Sequence, residues 1–423
     1  MVGAGVVGLS TAWFLQEFGV CVTVIEAIRP GAGASWGNAG WVAPSLATPL
    51  PEPGVVTASL RGALRHESPL TVRLPPDLGL FRFVAQFMWN SRPVPWISNQ
   101  RALSPLARDA VAALDAMNLP SGIQRKAELL VAFTRDTDRA RFEAEVMKLR
   151  EGGQELATET MTPDELSEAY PIVAARTSPA LVVHDQRYVD PQRLVTALGR
   201  SVESRGGTIQ VGEPVTRVNP TPEGVRVHTA AGRAEVFDAT VIAAGAWLNE
   251  LVAGLGVHTT VQAGRGYSFN LTAPVPPRGP LYFPAQRVAC TPTARGLRVA
   301  GLMEFARPSA RVAASRVGTL TRIARPLLHD VDWHSASDVW VGSRPCTPDG
   351  LPLLGVTADE RVFVAGGHGM WGVTLAATSG RNLAQLVVTG QSDIDLTPLS
   401  PLRRAWSVRA RGTRGVPKPV IGP

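Results

Sequence analysis

The chain has little cysteine, little charge and no unbroken apolar span. Cys21, Cys290 and Cys346 are the only thiols in 423 residues. They are odd in number and far apart, so neither a disulfide framework nor a zinc ligand set is expected, and a reducing cytoplasm fits their usage. Charged residues make up 18% and hydrophobic residues 45%, which excludes a disordered chain. Segment 362–380 lacks lysine, arginine and acid but holds five glycines, so it reads as strand, turn and helix rather than as a membrane span. The apolar start, VGAGVVGLSTAWFL, lacks the basic lead and the small-residue cleavage site of a secretion signal. No repeat of solenoid length is present.

Acid is missing from one region in particular. From Arg403 to the end there are five arginines, one lysine and no acid; the rest of the chain balances 36 basic against 35 acidic residues. A near-neutral body argues against a nucleic-acid partner. The segment 403–423 reads as a basic tail without a packing role. The length exceeds what one simple core accommodates, so two domains are expected.

What is present begins at once. Gly3, Gly5 and Gly8 form a G-x-G-x-x-G turn, followed by a helical pattern over Leu9–Gly19 and a β-branched strand, Val20–Glu26. Such a turn lets backbone N–H groups and a helix N-terminus meet a pyrophosphate. Glu26 ends the strand where an acid binds the two ribose hydroxyls of an adenosine, and it disfavours a 2′-phosphate. Two further segments suit a nucleotide. TVIAAGAW (240–247) is an apolar strand ending in Ala244 and Gly245, where a backbone passes close to a ligand. VFVAGGHGMWGVTLAATSG (362–380) is a strand, a loop with Gly367, His368 and Gly369, and a helix starting near Gly372 and Val373. A lone histidine in a glycine loop is read as structural before catalytic. An NAD domain is contiguous, whereas three separated segments suggest a larger dinucleotide with its own reactive ring, FAD.

Elsewhere, helices are expected over Ser104–Leu119 and Asp136–Gly153, with a helix, glycine pair and strand over Val189–Val218. Irregular structure with short helices is expected from Thr48 to Pro105, where prolines recur.

The residues GAGVVGLSTAWFL, Glu26, GASWGNAG, YVDPQRL, VIAAGAW, GSRPCTPDGLPLLG and GHGMWGVTLAATSG occur in order across nearly the whole chain. In this it resembles the flavoprotein superfamily of glycine oxidase and D-amino-acid oxidase, above all the D-amino-acid dehydrogenases. The resemblance implies an α/β, two-domain architecture. A Rossmann-like FAD domain would be built from residues 1–47, 186–262 and 336–402, and a mixed-sheet substrate domain from 48–185 and 263–335. It implies FAD contacts at Gly3, Gly5, Val6, Val7, Gly8, Glu26, Ser35, Asn38, Ala39, Gly40, Val215, Ala244, Gly245, Gly367, His368, Gly369, Gly372 and Val373.

The same resemblance implies oxidative deamination of an amino acid by hydride transfer to flavin, with no catalytic acid–base dyad and no metal. Arg344, in the motif R-P-x-T-x-D-G, would hold the substrate carboxylate, with Tyr267 and Tyr282 as further hydrogen-bond donors. Cys346, inside that motif, is read as packing rather than as a point of covalent flavin attachment. A secondary-amine oxidase, an NAD-dependent dehydrogenase and a catalytically silent binding module remain as alternatives. The electron acceptor, quinone or oxygen, is open, and with a quinone the basic tail would touch the inner membrane face.

The sequence departs from the family at its start. Only Met1 and Val2 precede Gly3, where relatives carry about five apolar residues. The central strand is therefore expected to be almost missing, its neighbours to hold unpaired groups costing about 1–3 kcal/mol each, and the start to lie upstream.

Overall fold

The computed structural model describes residues 1–53, 70–72, 78–174, 178–294, 296–309 and 314–404. One half, the nucleotide half of the sequence reading, is a three-layer α/β unit. Its parallel strands are β9 (Thr208–Val211), β1 (Thr23–Glu26), β13 (Thr240–Ile242) and β20 (Val362–Gly366), with β19 (Leu353–Val356) antiparallel at the edge. Val24, Val241 and Phe363 point into a core shared with helices α1 (Val6–Glu17), α7 (Pro191–Ser204) and α10 (Gly372–Thr389). Ile25, Ile242 and Val364 point the other way. They pack under the antiparallel strands β10 (Val215–Thr221), β11 (Gly224–Thr229) and β12 (Ala234–Phe237), beside the single turn α8 (Leu248–Leu251). This alternation is the period-2 consequence of a strand buried on both faces.

The missing strand is replaced by two residues. Val2 bridges in parallel to both Ile25 and Ile242. Val2 N–H donates to Val241 O (2.9 Å) and Ala243 N–H to Val2 O (2.8 Å); Ile25 N–H donates to Met1 O (2.9 Å) and Gly3 N–H to Ile25 O (2.8 Å). The expected orphans are thereby satisfied at Ile25 and at Val241–Ala243. β1 and β13 are only four and three residues long.

The other half is a mixed sheet of nine described strands in the order β18-β14-β17-β16-β15-β5-β7-β6, with β3 (Leu70–Val72) also on β17. These are β18 (Asp332–Cys346), β14 (Gln262–Thr272), β17 (Gly296–Phe305), β16 (Val288–Thr293), β15 (Leu281–Phe283), β5 (Leu129–Phe133), β7 (Ser178–Val183) and β6 (Thr158–Met161). Its back face packs on α6 (Pro163–Ala169) and α9 (Ala314–Ala324), burying Tyr267, Phe269, Phe283, Val288, Val299 and Leu320 together. Its front face looks toward the nucleotide half. A small sheet of β2 (Trp41–Val42), β8 (Arg187–Val189) and β4 (Gln124–Lys126) joins the two.

Three expectations shift: the boundary at 336, the irregular stretch 48–105 and the single helix over Ser104–Leu119. The expected boundary at 336 falls inside β18, which stays in the large sheet as far as Cys346. Within 48–105, residues 78–105 are far less irregular than the prolines suggest: α2 (Leu78–Asn90) and α3 (Pro93–Arg108) fill nearly all of them, with Pro105 inside α3. A break at Asp109 then separates α4 (Ala110–Ala116), and these helices bury Leu103, Leu106, Ala113 and Leu114 in the nucleotide half. The helix expected over 136–153 is α5 (Asp136–Glu151), with Asp136 and Asp138 in its first turn and Lys148 and Arg150 in its last, as the helix dipole favours.

Arg403 is not tail. It forms a two-point pair with Asp349, Nε to Oδ2 at 2.8 Å and Nη2 to Oδ1 at 3.0 Å, and also donates to the carbonyls of Leu351, Pro352, Leu399 and Ser400. Its partner lies 54 residues earlier, which no local pattern reveals. Residues 405–423 of the expected tail lie outside the described residues.

Candidate functional site

All the parallel strands of the nucleotide half end at one edge, where ligands meet open α/β sheets. Val2 leads there into Gly3, β1 into Glu26, β13 into Ala244 and Gly245, and β20 into Gly367–Gly369. Gly3 has φ +102°, and a Cβ there would stand 2.6 Å from Ala243 O; a Cβ on Gly8 would collide with Gly3 O. Helix α1 starts at Val6 with no side-chain cap from Gly5 and no acid in its first turn, so its N-terminus keeps partial positive charge. The N–H groups of Val7 and Gly8 lie in that turn, while Val6 N–H is held by Ser35 Oγ at 3.0 Å. Glu26 takes Ala4 N–H at 2.7 Å and Ile28 N–H at 3.0 Å. Val215 starts β10 close by, where Glu213 N–H donates to Glu26 O.

The loop 37–40 is clamped against the large sheet. Ser268 Oγ donates to Gly37 O (2.8 Å) and Thr291 Oγ1 to Ala39 O (2.6 Å); Asn38 Oδ1 accepts Gly40 N–H (2.7 Å). Trp41 anchors the loop's exit by donating from Nε1 to Thr291 Oγ1 at 2.9 Å. A Cβ on Gly37 or on Gly342 would collide with the ring of Trp340, which fills the space these glycines leave.

Opposite lies the third loop. Gly367 and Gly369 have φ +72° and +53°, and Gly372 and Val373 open α10. The His368 ring is turned inward, with Nε2 2.9 Å from Ser379 Oγ on α10. Burial pulls its pKa down to about 4, so at neutral pH it is uncharged and only a weak base.

The front face of the large sheet supplies the reacting side. Directly paired residues share a face, so Trp340, Ser268, Ala300, Ala289 and Tyr282 form one front row across five strands. Gly342, Gly264 and Gly266 lie beside it. Arg344 stretches from β18 across Gly266, where a Cβ would collide with its guanidinium, and donates from Nη1 to Leu302 O on β17 at 2.9 Å. Leu302 has φ +60°, a left-handed backbone that costs a non-glycine residue energy; this turn aims its carbonyl at Arg344. Among the described residues no carboxylate pairs with Arg344. It sits deep in the molecule yet keeps part of its surface open to water, as a side chain lining a cleft does. Burial lowers its pKa, but a guanidinium stays charged.

The two tyrosines separate. Tyr282 is in the front row, edge-on to Trp41 with ring centroids 5.4 Å apart. Burial raises its pKa, so its hydroxyl keeps its proton. Tyr267 is on the back face, where its hydroxyl donates to Glu304 Oε2 at 2.9 Å, beside Arg265. It therefore lies on the opposite face of the sheet from Arg344, and the expectation of a substrate contact there is corrected. Sequence reading missed Gly266, Leu302 and Trp340. Only Gly264-x-Gly266, a period-2 glycine pair in a strand, signals a face stripped of side chains.

Residues 1–386 match the family of FAD dependent oxidoreductases. The chain belongs to that family. It is 30% identical over 425 residues to a D-amino acid dehydrogenase of Xanthobacter autotrophicus, covering 96% of this chain and 98% of that one. Glycine oxidase from Geobacillus kaustophilus superposes with a TM-score of 0.70 at 23% identity, covering 95% of this chain and 97% of its own. L-proline dehydrogenase from P. horikoshii gives 0.68 at 16% identity, with 95% and 96% covered.

FAD is thus the family's cofactor, and the residues present fit it. The acid-free α1 N-terminus, the collision-limited Gly3 and Gly8, and the acid at the end of β1 match a dinucleotide's pyrophosphate and ribose. Gly245 and Gly369 face open space. Cys346 is buried against this face. Burial pushes its thiol up to about 12, which leaves it protonated and a poor nucleophile.

Proposed function

We propose that this FAD-dependent oxidoreductase oxidatively deaminates small neutral D-amino acids to 2-oxo acids and ammonia. The observation that carries the reading is Arg344, a deep guanidinium with no carboxylate partner among the described residues, facing the clamped 37–40 loop side of the sheet. When bound, FAD would supply the two-electron acceptor for the hydride of the substrate α-carbon, leaving an imino acid for water to hydrolyse. The protein's part is to bind and orient. Arg344 holds the substrate carboxylate at two points. Leu302 O fixes the guanidinium from behind, and Gly266 provides the bed it lies on. Tyr282 adds a donor from the far side of the front row. Met303, Phe83, Phe87 and Phe305 cluster with Cys346 beside Arg344. That apolar wall keeps water out and favours a short, uncharged side chain.

The cofactor contacts are assigned to the three carboxyl-edge loops, with His368 contributing only backbone because its ring is engaged by Ser379. Arg344 and Tyr282 are the substrate contacts. The electron acceptor is a quinone or oxygen.

The test is anaerobic addition of D-alanine or D-proline to the yellow protein. Bleaching of the visible flavin band supports the reading, and L-amino acids and secondary amines such as sarcosine and hydroxyproline form the comparison panel. Flavin that no amino acid and no N-methyl amine reduces would overturn it, in favour of a silent binding protein. Peroxide formation on re-oxygenation separates oxygen from a quinone.

A further inference from the structure

Behind Tyr282 stands a row of charged groups. The turn Pro284–Gln286 that follows β15 brings Arg287 back beside Tyr282. Arg287 has φ +53°, a left-handed backbone that a non-glycine residue keeps only where its surroundings fix it. Its guanidinium donates from Nη2 to Glu52 Oε2 at 3.0 Å and comes within hydrogen-bonding reach of the Tyr282 hydroxyl. Glu52 in turn shares a hydrogen bond with Glu145 of α5. Two carboxyl groups can do so only with a proton between them. The order is Glu145, Glu52, Arg287, Tyr282.

Glu52 is itself held in place. Ala47 O accepts from Gln100 and Gln154, Thr48 O from Trp371 Nε1 at 2.8 Å, and Pro49 O from Trp96 Nε1 at 3.3 Å. Glu52 N–H then donates to Leu50 O at 2.8 Å, and its side chain is buried. Thr48 and Leu50 line the small cavity between Cys346 and the loop 367–371, so this stretch borders the reacting side of the sheet. The two tyrosines differ in what their protons do. Tyr267 donates to Glu304, whereas among the described residues the Tyr282 proton has no acceptor. A guanidinium carries only donors. Arg287 can therefore occupy only the oxygen lone pairs of Tyr282, and the hydroxyl proton turns away from it.

We propose that Arg287 and Glu52 are positioning residues: Arg287 takes the Tyr282 oxygen so that the hydroxyl proton is presented to the carboxylate held by Arg344, and the proton between Glu52 and Glu145 spares this end of the cleft a further negative charge. The inference rests on the reading of Arg344 and Tyr282 as substrate contacts. It makes binding depend on pH. Burial and the neighbouring Glu52 carboxylate push Glu145 up to about 8. The cations near it are Arg287 from the turn and Lys148 on its own helix. β5 and β7, which also pack on α5, carry no charge, and α3 brings Arg101 and Arg108, both exposed, the second beside Glu155. Above about pH 8 Glu145 gives its proton to solvent, the cluster passes from neutral to one net negative charge, and a carboxylate ligand is repelled.

Propionate is the probe, because it has the carboxylate and no amine to titrate. Its binding to the flavin-loaded full chain is read from the shift it causes in the visible flavin spectrum. For the parent the Kd rises about fivefold between about pH 6.5 and 9.5, and Glu145→Gln, which cannot ionise, flattens that rise. At neutral pH Arg287→Met and Tyr282→Phe each weaken binding about three- to tenfold at parental FAD content, and the double variant is no weaker than Tyr282→Phe alone. Losses that add in the double variant, or a pH rise that persists in Glu145→Gln, overturn the proposal. Glu145→Gln breaks no ion pair, so it decides the matter even where Arg287→Met fails to fold. Propionate binding that Arg344→Met abolishes, but that neither Arg287→Met nor pH alters, removes this inference alone. A parent spectrum that propionate does not move, or equal binding by Arg344→Met, removes the Arg344 reading and this inference with it.

Discussion

Arg344 lies flat across Gly266, its guanidinium in the space where any other residue would place a Cβ atom. Gly266→Ala must lift Arg344 off the sheet and away from Leu302 O. A charge-assisted hydrogen bond is worth about 1.5–3 kcal/mol, so the variant's KM for its amino acid rises roughly 10- to 150-fold. FAD content stays unchanged, because the cofactor loops lie on other elements. Steady-state kinetics with the bleaching substrate, alongside the flavin-to-protein absorbance ratio, read both.

Arg403 and Asp349 form a buried two-point pair that seats the end of the described chain on the turn following β18. Removing one partner strands the other, at a cost of about 3–5 kcal/mol. Arg403→Ala should lower the urea midpoint accordingly. A chain ending at Arg404 should keep it, and one ending at Leu402 should lose it. Equal midpoints for the two truncations would show that the pair does not matter.

The His368 imidazole has its pKa pulled down by burial to about 4, below the ordinary value near 6.5. Between those values the unfolded chain takes up a proton that the native ring refuses. Stability therefore falls as the pH drops from about 6.5 toward 4, by roughly 3 kcal/mol in total from this group. Urea melts at pH 7.5 and pH 5 should show a smaller loss in His368→Gln than in the parent.

The Cys346 thiol, pushed up to about 12 by burial, should resist alkylation in the native protein. Cys290 is buried and shifted the same way, whereas Cys21 is exposed. Brief iodoacetamide treatment followed by peptide mass mapping should find label on Cys21 alone. Acid precipitation should release all the flavin into the supernatant, which a covalent bond to Cys346 would prevent.

Local chemistry was enough for much of this protein. The glycine turn, the strand ending in Glu26, and the glycine loops after 243 and 366 each follow from backbone sterics within a few residues. Their order along the chain pointed to FAD. The motif around Arg344 was equally legible, because a proline-framed arginine needs no distant partner to be noticed. Tertiary structure decided what depends on parity and on reach. Tyr267 and Tyr282 look alike in sequence. Pairing with Val341 puts the first on the back face of the sheet, while pairing with Ala289 puts the second in front. Val2 became a strand only because Ile25 and Ile242 flank it. Arg403 joined the core only because Asp349, far away in sequence, comes to meet it. Side-chain direction in a sheet alternates residue by residue, and contact between distant segments is set by packing, so neither is written in any single stretch of the chain.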